Sequence, residues 1–476
     1  MLFSLSSSRS LSVSAHPRGS LLMADVASLV RSAQELSSTP AGLAQLQTLL
    51  DANAELIASN LPEALAALDT RALLPDAHAL AWIHILHATL SSERPPRDHP
   101  AGPSAAAFSN LARALLLACD ATAARTDPRK FARVCGELRE IAVAREGAAC
   151  VAALAPLRRA VDVARPDPDH LTPQHHMVFQ CALVARCLTA VVDILERPVY
   201  EVDPERTGVD ADDHLLYRYY GGAALAALGR YREAAEMFLG AIAAPATALS
   251  AIVVAAHKKY ACVSLIADGA VPPLPRYVPA ATQRGLKRCA GRAYPAMIDA
   301  FARRDAAALA AAAEEHAETF ERDDNKGLVA RVVDALAKRK VRDLTRTYLT
   351  LSLADIAASA GLEGGAEEAE RAVAEMIESG DILATVSQRD GTVRFHDADD
   401  EQYADAAMAE RLDAVIADAM ALNERVRARD DAIKSSRTFL EKAEAAAGAG
   451  AGPGAGKGGL GMSGGDLEGD VDFADP

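Results

Sequence analysis

The stretch from Leu344 to His396 constrains the fold more than any other, because only there does a period of two interrupt a helical period. Leu349 and Leu351 alternate with polar neighbours, as a short strand does. Ser352-Leu353-Ala354-Asp355 has the form of a capping box, with the serine accepting from an orphan backbone N–H and the aspartate reaching back to the cap. Ile356, Ala357 and Ala360 follow at helical spacing, and Gly361 suits the left-handed position past a helix end. A second helix is predicted with Ala369, Ala372, Val373, Met376 and Ile377 on one face, stopping at Ser379-Gly380. Ile382, Ala384 and Val386 then alternate, Asp390-Gly391 supplies a hairpin turn, and Val393 and Phe395 alternate on the return.

Strand, helix, helix, hairpin is the order of a winged helix, a fold that raises the question of DNA. A DNA-reading winged helix sends its second helix into the major groove and needs Lys or Arg against phosphate. Here that helix carries Glu367, Glu368, Glu370, Glu375 and Glu378 against Arg371 alone, so five minus charges and one plus leave −4. At the wing tip Arg389 and Asp390 cancel. A polyanion is repelled by such a surface, and the net charge of −15 over the whole chain extends that to nucleic acid and anionic membrane generally.

The 476 residues are mostly helical in pattern: alanine is abundant, aromatics make up only 4 %, and strand-like alternation is confined to the stretch above. Leu43, Leu46, Leu49 and Leu50 form one stripe; Leu61, Leu65 and Leu68 another; Trp82, Ile83 and Leu86 a third. One helical hairpin is especially clear. Gly222, Ala234, Phe238 and Ala241 fall at the small and aromatic positions of a tetratricopeptide-type pair, with Gly229-Arg230-Tyr231 as its turn. No single pair buries its apolar face alone, so the expected fold is mostly α: a superhelical solenoid of TPR-like pairs, then the winged helix, then a C-terminal helix. The next helix is expected from about Ala246 to Asp268-Gly269, after which Pro272-Pro273-Leu274-Pro275 breaks the chain and two or three helices lead to Arg342. The implied divisions are a leader at 1–22, the solenoid at 23–341, the winged helix at 342–397, one long helix or two in series at 398–446, and a disordered Gly-rich acidic tail at 447–476. The leader is rich in Ser and Arg without acids, and Met23 is the expected start of the folded chain.

The search for chemistry returns little. Seven scattered cysteines with no C-x-x-C pair read as reduced thiols. His84 and His87 lie one helical turn apart near His78, but no nearby Cys or carboxylate completes a metal site in sequence, and exposed histidines beside Trp82 are the expectation. His175 and His176 are adjacent and point to different faces. Gly454, Gly456 and Gly459 match a dinucleotide pattern only formally, in a tail with no preceding strand. Nothing places a nucleophile beside a base, so no catalytic residue, cofactor or metal is expected. The basic run Lys338, Arg339, Lys340, Arg342 and Arg346 reads as the solvated face of the helix leading into the winged helix.

Helical repeats running into an acidic winged helix and a terminal helix resemble the PCI-domain family, which builds the proteasome lid, the COP-nine signalosome and translation initiation factor three. The likeness is sharpest to the subunit-three family of the signalosome. It is carried by Tyr219-Tyr220-Gly221-Gly222, by His257-Lys258-Lys259-Tyr260, and by His316-Ala317-Glu318-Thr319-Phe320 with Asp323, Asn325, Gly327, Leu328 and Val329. Leu344 to Leu353 and Gln388 to Asp397 continue it. The resemblance implies a non-catalytic scaffold, placed in the cytoplasm and nucleus, in a hetero-oligomer whose other subunits remove a ubiquitin-like modifier from cullins. It also implies docking through paired sheet edges and a bundle of terminal helices. The expected subunit interface is therefore Leu349, Leu351, Ile382, Val393 and Phe395 in the winged helix and Leu412, Val415, Ile416 and Leu422 in the terminal helix. A proteasome-lid or initiation-factor subunit is the alternative within this family, and a nucleic-acid-binding winged-helix protein the alternative outside it.

Overall fold

The computed structural model describes residues 25–91, 105–246, 248–289, 291–362, 364–396 and 406–449. The leader at 1–22 and the tail from 450 lie outside the described residues. Residues up to Phe395 form one compact unit, and those from His396 onward a second, each described here by itself.

In the first unit, helices follow one another and bury their stripes in successive cores. The first core runs from Val26 to Tyr217, the second gathers around Phe238 and Val263, and the third around Tyr294, Phe301 and Phe320. Met237 packs against both the first and second cores and Leu328 against both the second and third, so the apolar interior is handed on along the chain, as a solenoid requires. The predicted hairpin is formed by Ala211–Ala227 and Tyr231–Ala243. Its small residue is needed where expected: a Cβ on Gly222 would stand 2.9 Å from the Phe238 ring. Gly229 turns the chain at φ +82, in the left-handed region that glycine enters without cost.

Two local expectations shift. The next helix is Ala251–Ala267, starting later than its apolar residues suggest, because Ser250 caps it by accepting from the Ile252 N–H. Between the proline-rich break and the winged helix there are five helices among the described residues: Ala280–Cys289, Ala293–Ala302, Ala306–Glu315, Ala317–Arg322 and Lys326–Thr345. Several span only two or three turns, too short for periodicity to separate them.

The winged helix follows in the predicted order: β1 (Thr350–Ser352), helices Leu353–Ala360 and Gly365–Glu378, β2 (Ala384–Ser387) and β3 (Thr392–Phe395). The sheet is antiparallel in the order β1-β3-β2, with Leu351 and Val386 both opposite Val393. Ser352 caps the first helix through the Asp355 N–H at 3.1 Å, but the return half of the expected box differs, since Asp355 accepts from the Ser352 hydroxyl at 2.6 Å. Gly361 sits at φ +75 beyond the helix end, as expected, with its N–H on the Ala357 carbonyl.

The second unit holds Ala406–Ser435 and Arg437–Ala449, two helices in series separated at Ser436, whose hydroxyl turns back to the Ile433 carbonyl at 2.7 Å.

Candidate interface built on the junction of repeat and winged helix

The last repeat helix and the winged helix meet through Lys326–Thr345, and two sets of polar contacts fix that connecting helix in place. The first is buried. Lys259 on Ala251–Ala267 is almost fully enclosed and donates to the Asp324 carbonyl at 3.0 Å and to Asn325 Oδ1 at 2.8 Å. The Asn325 amide donates in turn to the Tyr294 hydroxyl at 2.7 Å, which donates to Asp323 Oδ2 at 3.0 Å. Lys258 completes the set on that same carboxylate at 2.7 Å. The Tyr294 ring stands edge-on to Phe320 at 5.3 Å, and the Lys259 ammonium lies 5.8 Å from the centre of the Tyr219 ring. Burial pulls the Lys259 ammonium below the ordinary lysine range, against the pull of Asp324 and Asp323. A charge so enclosed is tolerable only when its protons are taken up by fixed acceptors, which is what Asp324 and Asn325 supply.

Asn325 is also the residue before the connecting helix, where an asparagine side chain ordinarily caps the first turn. It makes no such bond here, because its amide is committed to Lys259 and Tyr294. Lys258, Lys259, Asp323 and Asn325 are thus one structural weld, although they lie more than sixty residues apart in sequence.

The second set is the basic run. Instead of forming only a solvated face, Lys338 meets Glu375 of the acidic second helix at 3.0 Å and Arg342 meets Asp381, just beyond that helix, at 2.6 Å. Arg304 pairs with Asp343, and Arg339 reaches the Ala267 carbonyl at the end of the last repeat helix at 3.5 Å. Gly269 is favoured there by φ +76, and a Cβ would also displace the Arg339 guanidinium. Exposed pairs of this kind are worth about 0–1 kcal/mol each, so their role is to set an angle more than to add stability.

The nine expected interface residues separate into two groups. Ile382, Val393 and Phe395 are buried in the winged helix's own core with Leu353, Ile356, Val373 and Met376. The reason is the face they occupy: Val393 and Phe395 lie on the side of β3 covered by helices Leu353–Ala360 and Gly365–Glu378, whereas Arg394 between them points the other way and is exposed. Leu351 is half-buried against the same core, whereas Leu349 is 76 % exposed beside half-exposed Tyr348 at the start of β1, an outer strand. Leu412, Val415, Ile416 and Leu422 are all exposed on Ala406–Ser435, together with Met420 and Val426. Alternation along the hairpin marked Val393 and Phe395 as apolar but could not say that the two helices would cover them.

A histidine cluster departs from expectation as well. His84 is buried, and the two carboxylates that sequence proximity did not offer arrive from other helices: Asp127 Oδ2 stands 3.5 Å from Nε2 and Asp51 Oδ1 3.9 Å from Nδ1. These three could in principle hold an ion. The cation they surround is the Lys130 ammonium, 3.0 Å from Asp127 and hydrogen-bonded to Asp51. Burial and Lys130 hold the His84 imidazole down to about 4, so it is neutral at pH 7. His175 and His176 do face different partners, Thr172 at 2.9 Å and Asp213 at 3.1 Å.

A helical solenoid joined by a shared helix to a winged helix defines a PCI-type protein, and the comparisons agree: residues 313–397 match the PCI domain. Residues 41–282 match the N-terminal helical repeats of COP9 signalosome complex subunit 3. A protein of that name from Arabidopsis thaliana is 32 % identical over 419 residues, covering 88 % of this chain and 93 % of its own length. Its counterpart from Dictyostelium discoideum is 34 % identical over 273 residues, 57 % of this chain and 64 % of that protein. The chain belongs to the COP9 signalosome subunit 3 family.

Proposed function

We propose that the chain is a non-catalytic scaffold subunit of a COP9 signalosome, supporting removal of a ubiquitin-like modifier from cullins by a different subunit. The observation that carries this reading is the welded junction: a solenoid whose last repeat is locked by Lys259 and Asn325 to the helix that presents a small sheet. A rigid mount for a sheet edge is what a scaffold needs. Along the chain the role divides into a solenoid at 23–341, a docking winged helix at 342–397 and an assembly segment at 398–446 that carries the terminal helices. In the winged helix Leu349 and Leu351 contact neighbouring subunits, while Ile382, Val393 and Phe395 act indirectly by holding the edge strands. In the second unit Leu412, Val415, Ile416 and Leu422 face a helix bundle of other subunits. The chain works as part of a hetero-oligomer in cytoplasm and nucleus, without nucleic acid or membrane. No described helix is long and apolar enough to cross a membrane, and the acidic second helix of the winged domain repels phosphate.

The test is purification of the tagged chain from its native cell with mass spectrometry of its companions. Recovery of the remaining signalosome subunits in fixed ratio supports the reading. Recovery of proteasome-lid or initiation-factor subunits in their place overturns it.

A further inference from the structure

The segment after the last repeat helix does more than break the chain. Ending a helix needs one proline; here Pro272, Pro273 and Pro275 occur in four residues, followed by Arg276 and Tyr277. Val271 to Pro275 is in neither helix nor strand. The segment is nevertheless tied at both ends. Val271 and Leu274 pack against the second core, Val278 is buried in it, and the Val278 N–H closes a turn on the Pro275 carbonyl at 3.1 Å. The Val278 carbonyl accepts from Gln283 at 3.1 Å.

Each proline fixes its own φ, and a run of them favours the polyproline II helix, a three-sided prism with three residues per turn. On such a prism Pro272 shares an edge with Pro275, and Pro273 stands on a second; Arg276 and Tyr277 follow in the turn that the Val278 N–H closes. Leu274 lies on the remaining edge, and that is the edge turned inward onto the core. The other two edges face out: Pro272 and Pro273 are exposed and Pro275 is half-buried, and Arg276 in the adjoining turn is exposed as well. Beside them Tyr277 is 69 % exposed, the largest exposure of any tyrosine among the described residues. Arg276 has no ion-pair partner among the described residues.

Domains that read proline-rich segments lay two edges of this prism in an aromatic-lined groove and leave the third edge free. The host fold therefore hides the edge that such a groove does not touch. We propose that Pro272–Tyr277 is a docking site for a proline-recognition domain of SH3 or WW type, one whose groove has an acidic rim to meet Arg276. Because both ends are anchored, the segment is held before binding and less ordering is required than for a free peptide. This site is separate from the sheet edge and terminal helix of the assembly reading, and it stands or falls independently of them.

The test titrates isotope-labelled SH3 and WW domains from a broad panel with the full chain. At least one acidic-rimmed domain should show shifts confined to its groove aromatics. That binding should weaken at least tenfold in the P272A/P273A/R276E variant, whose circular dichroism and melting match the parent. A synthetic peptide covering residues 270–279 should displace the chain from the same groove, binding more weakly than the intact protein. If no domain in the panel binds chain or peptide, or the variant binds as well as the parent, the proposal is wrong.

Discussion

Substituting Asn325 with leucine tests the junction directly, because leucine keeps the branching and heavy-atom count of asparagine, removes its polar atoms and leaves no cavity. Asn325→Leu removes an acceptor 2.8 Å from the Lys259 ammonium and a donor 2.7 Å from the Tyr294 hydroxyl. Lys259 keeps the Asp324 carbonyl and Tyr294 keeps Asp323, so neither is stripped of every partner. A bond to a charged group contributes about 1.5–3 kcal/mol and a neutral one about 1, which puts the loss at about 3 kcal/mol. Adding Lys259→Met removes the under-paired ammonium, and the double variant should recover about 1–2 kcal/mol of that loss, since replacing both partners by apolar groups is cheaper than leaving a buried charge short of an acceptor. Native-state hydrogen exchange over Ala251–Ala267 and Lys326–Thr345 is the suitable assay, because a chain with several cores need not unfold in one step. A cost below about 0.5 kcal/mol for Asn325→Leu, or strict additivity in the pair, would refute the claim that this network holds the junction.

Within the sheet, Val393→Asp should unfold the winged helix, since an unpaired buried charge costs several kcal/mol, whereas Leu349→Asp should leave melting unchanged and reduce co-purification with other subunits; equal effects of the two on melting would contradict the core and edge assignments. Truncation after His396 should preserve the helical signal of the first unit yet shrink the assembled complex on gel filtration, and an unchanged complex size would remove Leu412, Val415, Ile416 and Leu422 from the interface. Acid should destabilise the chain through His84 and His175, both held by burial to about 4 from an ordinary 6.5. Between those values the unfolded chain binds protons that the folded chain does not, so stability is full above pH 6.5 and falls as pH drops toward 4, by up to about 3 kcal/mol per histidine. The melting temperature of His175→Gln should depend less on pH across this window, and an unchanged dependence would sink the assignment.

The local pattern of residues was sufficient for much of this protein. Alternation, capping residues and a glycine at the helix end placed the winged helix between Leu344 and His396, and Gly222 with Phe238 revealed the repeat hairpin, because period, caps and close approach are set by neighbours a few positions apart. The five glutamates of the second winged-helix helix disfavour nucleic acid by charge alone. Contacts between distant residues were another matter. Lys259 meets Asn325 across 66 positions, Lys130 meets Asp51 across 79, and the Lys338 run meets the acidic helix instead of water alone. Packing of the two winged-helix helices on one face of the sheet likewise enclosed Val393 and Phe395, while Leu349, just before the outer strand β1, stayed exposed. Periodicity reports which side of an element is apolar; only the folded chain decides what lies against that side, because burial is a property of the neighbours that three dimensions bring together.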